Sequence, residues 1–176
     1  MKCRTQSLVI ALGIAAFALY ELPAPAWASD SWSPTGSLAL GRRRHTATRL
    51  LDGRVLVAGG EAGSAVKSCE VYDPIAGTSS ATGSMGIGRF DHQAVLLATG
   101  KVLVVGGHDG ATPLASCELY DPLTGTWSLT GSLAGQRFQH STILLPDGTV
   151  LAAGGGGGAG AVATCERYVP ITGAWS

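Results

Sequence analysis

Ser116-Cys117-Glu118-Leu119-Tyr120-Asp121-Pro122 decides how the chain is read, because it is written twice more. Ser68-Cys69-Glu70-Val71-Tyr72-Asp73-Pro74 lies 48 residues before it, and Thr164-Cys165-Glu166-Arg167-Tyr168-Val169-Pro170 lies 48 after. Working outward, other marks recur in step. Gly-Ser-Leu/Met stands at Gly36, Gly83 and Gly131. An arginine stands three places before a histidine at Arg42/His45, Arg89/His92 and Arg137/His140. A diglycine closes an apolar run at Gly59-Gly60, Gly106-Gly107 and Gly154-Gly155. So many matched offsets mark a true repeat, and a fixed period of this length belongs to architectures of stacked identical units.

Each unit reads as four short strands. In the first, His45 to Leu51 is β-branched and apolar, and Asp52-Gly53 predicts a two-residue hairpin. Arg54 to Ala58 returns antiparallel, residues 61–67 form a small-residue loop, and Ser68 to Asp73 make a third strand. Pro74-Ile75-Ala76-Gly77 is a turn, with proline near its start, and Thr78 to Thr82 a fourth strand. Thr99-Gly100 and Asp147-Gly148 mark the hairpins of the later copies. No helical period appears beyond the N-terminal segment, so the class is all-β.

The order Arg-x-x-His, apolar hairpin, Gly-Gly, Tyr-Asp-Pro and Gly-Thr-Trp resembles the kelch repeat, as in exported bacterial kelch proteins and the central domain of galactose oxidase. Trp127 and Trp175 hold the tryptophan position, and Trp32 holds it for a preceding unit. Two positions depart from the pattern: Ser79 replaces a tryptophan and Val169 an aspartate. The Gly-His and Trp-Asp signature of the WD40 repeat is missing. The resemblance implies a partial β-propeller of three four-stranded antiparallel blades, approximately residues 42–82, 89–130 and 137–176, with an extra N-terminal outer strand at 31–35.

The first 28 residues read as a signal peptide. Lys2 and Arg4 precede an uncharged apolar run from Leu8 to Tyr20; Pro23 and Pro25 follow, and Ala26-Trp27-Ala28 fits a cleavage site. That run is shorter than the roughly 20 residues a spanning helix needs. The expectation is a secreted or periplasmic protein cleaved after Ala28, with residues 29–176 as the propeller segment and no stable membrane insertion. Twelve Lys+Arg balance 12 Asp+Glu, so no electrostatic footprint for nucleic acid exists.

A residue repeated in every unit is read first as framework. The tyrosines are expected between blades with hydroxyls reaching backbone or solvent, the diglycines where backbones approach closely, and each Glu beside its Arg. Cys69, Cys117 and Cys165 are expected as buried, inert thiols, since equivalent places on separate blades converge on neither a metal nor a disulfide. No cofactor, metal site or catalytic set stands out; His108-Asp109 supplies only two metal-ligand types.

The resemblance also implies that the first strand of each blade lines a central channel. The two residues before each histidine then project at its mouth: Arg43 and Arg44, Phe90 and Asp91, Phe138 and Gln139. They differ between copies while their flanks do not, as a binding rim on a constant frame would. The expected function is an exported binding or interaction module for a protein or glycan, with no catalytic site. The alternatives are a fragment of a kelch-propeller enzyme, copper-radical-oxidase-like or sugar-epimerase-like, and a truncated structural piece. Three blades leave two faces open. A homodimer closing a six-bladed ring and a truncated longer propeller both account for that.

Overall fold

A computed structural model describes residues 33–176, and the signal segment, the Ala28 cleavage site and Trp32 lie outside the described residues. Three four-stranded antiparallel sheets follow one another. The first is β1 (Thr46–Arg49), β2 (Val55–Ala58), β3 (Cys69–Asp73) and β4 (Thr78–Thr82). The second is β5 (Gln93–Leu96), β6 (Val102–Val105), β7 (Cys117–Asp121) and β8 (Thr126–Thr130). The third starts with β9 (Ser141–Leu144) and β10 (Val150–Ala153), then a small hairpin, β11 (Gly156–Gly157) and β12 (Gly160–Ala161), interrupts it. It resumes with β13 (Cys165–Val169) and ends with β14 (Ala174–Trp175). No helix occurs among the described residues. Ser33 to Thr35 form no strand, so the expected outer strand at 31–35 is not seen where it can be observed.

The turn after each first strand is wider than Asp52-Gly53 predicts. Leu50 accepts from the Gly53 N–H at 3.1 Å, and only Gly53, at φ 89°, is left-handed. That is the three-residue turn ending in a left-handed glycine, in which Asp52 keeps ordinary backbone angles.

Register explains the burial. In β6, Val102 and Val104 face the first sheet while Leu103 and Val105 face the third, and all four have 0% exposure. The first junction packs Leu50, Leu56, Ala58, Cys69, Val71 and Met85 against Val102, Val104 and Tyr120. The second repeats it with Leu97, Leu103, Val105 and Cys117 against Val150, Ala152 and Tyr168. Each buried aliphatic side chain removed from water contributes about 1.5–3 kcal/mol. Adjacent sheets therefore adhere face to face, and β1, β5 and β9 approach one another as the inner strands.

Two hydrogen-bonded staples cross each junction. The Tyr120 hydroxyl meets Thr82 Oγ1 at 2.7 Å, and Tyr168 meets Thr130 Oγ1 at 2.7 Å. Thr35 serves Tyr72 in the same way at 2.6 Å. The tyrosine hydroxyls thus reach a threonine side chain, where backbone or solvent was expected. Beside each, the Gly-Ser-Leu/Met glycine donates to the next turn: Gly83 N–H to Gly125 C=O at 3.0 Å and Gly131 N–H to Gly173 C=O at 2.9 Å. A Cβ at either position would drive into that carbonyl oxygen, so only glycine fits.

Candidate functional site

Every blade is entered through the same arginine clamp. Arg89 reaches 0% side-chain exposure and pairs with Glu118 at 2.7 Å. It also donates to the carbonyls of Gly106 and Ser116, both at 2.8 Å. Arg42 pairs with Glu70 at 2.7 Å, Arg137 pairs with Glu166, and both hold the corresponding carbonyls. The second carboxylate oxygen accepts from the entry loop, from Ala39, Gly86 and Ala134 N–H. The pair lies within a blade and ties its entry loop to its own third strand. Burial pushes the Arg89 pKa down, against the opposing charge of Glu118. At Glu70, burial raises the pKa, but bonds from Ala39 and Ser79 and the charge of Arg42 leave it below the usual range.

Past the clamp the chain turns left-handed. Arg44 (φ 59°), Asp91 (φ 51°) and Gln139 (φ 51°) are the non-glycine residues with positive φ among the described residues. Their backbones form a ladder across the blades, Gln139 N–H to Asp91 C=O at 2.9 Å and Asp91 N–H to Arg44 C=O at 3.1 Å. Their side chains converge too. Arg44 Nε donates to Asp91 Oδ1 at 2.9 Å and its second nitrogen bonds Asp91 Oδ2, to which the Gln139 amide donates at 3.0 Å. Asp91 first, then Glu61, holds the Arg44 pKa above its ordinary value. Together with His45, Thr46, Gln93 and Ala94, the three rim residues line an open polar depression of ≈ 350 Å³.

Of the six expected rim residues, the structure brings Arg44, Asp91 and Gln139 together and turns the others aside. Arg43 pairs with Glu61 at 3.1 Å, Phe90 stacks on His108 with centroids 5.3 Å apart, and Phe138 lies over Gly156. Phe90 has 8% exposure, beneath the Arg44 guanidinium at 4.2 Å. Phe90 is thus buried and Phe138 half-buried, each packed on its neighbours, and neither adds a polar group to the Arg44–Asp91–Gln139 cluster. A Cβ on Gly156 would sit 2.7 Å from the Phe138 ring, so that glycine makes room for the phenyl group. His108 also touches Phe138 edge-on at 5.5 Å. Asp109 spends its carboxylate on Ala111 and Thr112 N–H, at 2.8 and 2.7 Å.

Glu61 and His108 were missed as rim supports. A signal for them exists: the residue two before each histidine varies in step with the residue after each diglycine, Arg43 with Glu61, Phe90 with His108, Phe138 with Gly156.

The histidines lie beneath the rim. His92 meets Thr46 Oγ1 of the preceding blade at 2.9 Å, and burial, reinforced by Arg89, pushes its pKa down to about 3. Burial and Arg137 take His140 down to about 4. Both are neutral packing groups at neutral pH. Cys69 and Cys117 are buried and unpaired, and burial pushes their thiols up to about 11. Cys165 is exposed, contrary to the expectation for all three, because no sheet among the described residues packs over its face. Among the described residues no group of three or more His, Cys, Asp or Glu has metal-binding geometry.

Four-stranded antiparallel sheets, packed face to face with their first strands innermost, define β-propeller blades. The Kelch motif matches residues 42–86 and 92–133, and the chain belongs to the kelch-repeat proteins. The third sheet lies beyond the matched residues but repeats the same clamp and staples. No curated protein matches the chain.

Proposed function

We propose that this chain is an exported binding module with no catalytic site of its own, and that it holds a protein or glycan at the channel mouth through Arg44, Asp91 and Gln139. The left-handed rim carries the reading. A non-glycine residue in that conformation costs about 1–3 kcal/mol, and glycine would occupy it without strain. The chain uses glycine freely at other left-handed positions, yet all three copies keep a polar side chain here. Such side chains on a rigid scaffold are what a binding surface requires. Kelch repeats generally mediate protein interaction, which supports the class of partner. Export rests on the N-terminal pattern, and N-terminal sequencing that finds Ser29 first would support cleavage after Ala28.

Protein and glycan arrays probed with the mature chain test the reading. Binding that disappears in the triple variant Arg44→Gly, Asp91→Gly, Gln139→Gly, with the melting temperature held, supports it. Binding unaffected by the triple variant moves the site elsewhere.

A further inference from the structure

The two junctions within the chain show what covers a blade, and they follow one hydrogen-bond code. In the first, Met85 N–H donates to Lys67 C=O at 3.0 Å, Arg89 N–H to Val66 C=O at 3.2 Å, and Gly60 N–H to Arg89 C=O at 2.8 Å. Asp91 N–H completes the set on Arg44 C=O at 3.1 Å. In the second, Leu133 N–H reaches Ala115 C=O, Arg137 N–H reaches Leu114 C=O, Gly107 N–H reaches Arg137 C=O, and Gln139 N–H reaches Asp91 C=O.

Among the described residues, the third sheet presents the corresponding groups without a backbone partner: Ala163 C=O, Val162 C=O, Gly155 N–H and Gln139 C=O. The entry to the first blade presents the complementary four, also without one: Leu38 N–H, Arg42 N–H, Arg42 C=O and Arg44 N–H. Donor faces acceptor at every place. The side chains around them agree. Ile143 is 59% exposed, and Leu151, Ala153 and Cys165 are partly or fully open, where Leu103, Val105 and Cys117 have 0% exposure.

Volume is complementary as well. Val71 shares a cluster with Trp127, and Leu119 shares one with Trp175, so each junction sets a medium residue near a tryptophan. At the open faces the sizes are exchanged: Arg167 stands where Val71 and Leu119 stand, and Ser79 where Trp127 and Trp175 stand. The large side chain has moved to one face and the small one to the other, within one sequence. Arg167 carries its guanidinium off to Asp147 and Thr149, leaving Leu151 and Ala153 uncovered by it. On the first sheet, Val55, Val57 and Tyr72 hold the places of Val102, Val104 and Tyr120.

We infer that the open face of the third sheet docks the first blade of a second copy of this chain, through those four backbone pairs and the Arg167–Ser79 exchange. Two copies related by a two-fold axis then make both junctions at once, and their six blades fall within the four to eight of closed propellers.

Sedimentation of the mature protein and alkylation of Cys165 test this together. The expected result is a dimer at high concentration, with Cys165 alkylated roughly tenfold more slowly than in the diluted monomer, since a covered group reacts through the dissociated fraction. Leu151→Asp is expected to give a monomer with unchanged circular dichroism and a reactive Cys165. Leu38→Cys supplies a second readout. Met85 and Cys69 share a cluster, and Leu38 and Cys165 hold their places. Oxidation should therefore yield a covalent dimer that Cys165→Ser abolishes. A monomer with freely reactive Cys165 at every concentration overturns the inference. So does a dimer that survives Leu151→Asp with Cys165 still open, which would use another surface.

Discussion

The arginine clamp and the rim lie two residues apart in every blade, and they repeat in different ways. The clamp repeats its side chains: Arg42, Arg89 and Arg137 all hold a glutamate and two carbonyls. The rim repeats its backbone, since Arg44, Asp91 and Gln139 share a left-handed turn and polarity but neither charge nor shape. A buried charge must find the same partners wherever it occurs, because an unpaired one costs several kcal/mol. An exposed residue answers to no such demand. One part of the repeat is therefore held by its own energetics, and its neighbour is free to differ.

Acid should expose the dependence of the frame most strongly. His92 and His140 stay neutral in the folded chain down to about pH 3 and 4, whereas an unfolded histidine takes up its proton near 6.5. Between those values the unfolded state binds more protons, so stability is full above pH 6.5 and falls as the pH drops. At about 1.4 kcal/mol per unit for each group, the loss by pH 4 is on the order of 6 kcal/mol. Urea titrations at several pH values measure it. A His92→Gln, His140→Gln variant should flatten that slope, and an unchanged slope would separate the frame from its histidines.

Breaking the clamp comes next. Glu118→Ala leaves Arg89 buried without its carboxylate and should cost about 3–5 kcal/mol by chemical denaturation. Arg44→Ala, which opens a pair of solvent-exposed groups, should cost about 1 kcal/mol or less. Equal costs would erase the distinction between frame and rim.

Tyr120→Phe removes one hydroxyl from a junction and strands Thr82 Oγ1, a loss of about 1–2 kcal/mol in thermal unfolding. Asp91→Gly has the smallest expected effect. Losing two exposed partners costs up to about 1 kcal/mol, while glycine relieves left-handed strain of similar size. The net change in melting temperature should be near zero. A large drop would make the rim part of the frame.

Much of the fold was legible because each unit corroborates the others: the fourth strand Thr78–Thr82 matches its expected bounds, and the diglycines hold both a positive φ and a close approach. What escaped depends on neighbours. Cys165 holds the same repeat position as Cys117, and packing by a neighbouring sheet, which the repeat pattern does not report, decides whether it is covered. The left-handed rim escaped because arginine and glutamine carry no mark of that conformation, and one aspartate among the three copies is a weak one. Phe90 and Phe138 read as exposed for lack of their partners, although the paired variation with His108 and Gly156 was open to inspection.

The staple between Thr82 and Tyr120 bears on how such a chain can be cut and rejoined. The threonine that completes a blade is the last strand residue of the one before, so the sheet and the transferable piece are out of phase. Excising the second sheet at Gln93 would abandon Thr82, Gly83 and Arg89, and with them both staples and the clamp. A graft that carries its own fastenings runs from Thr82 to Leu129, borrowing its start from one sheet and ceding the end of its last strand to the next.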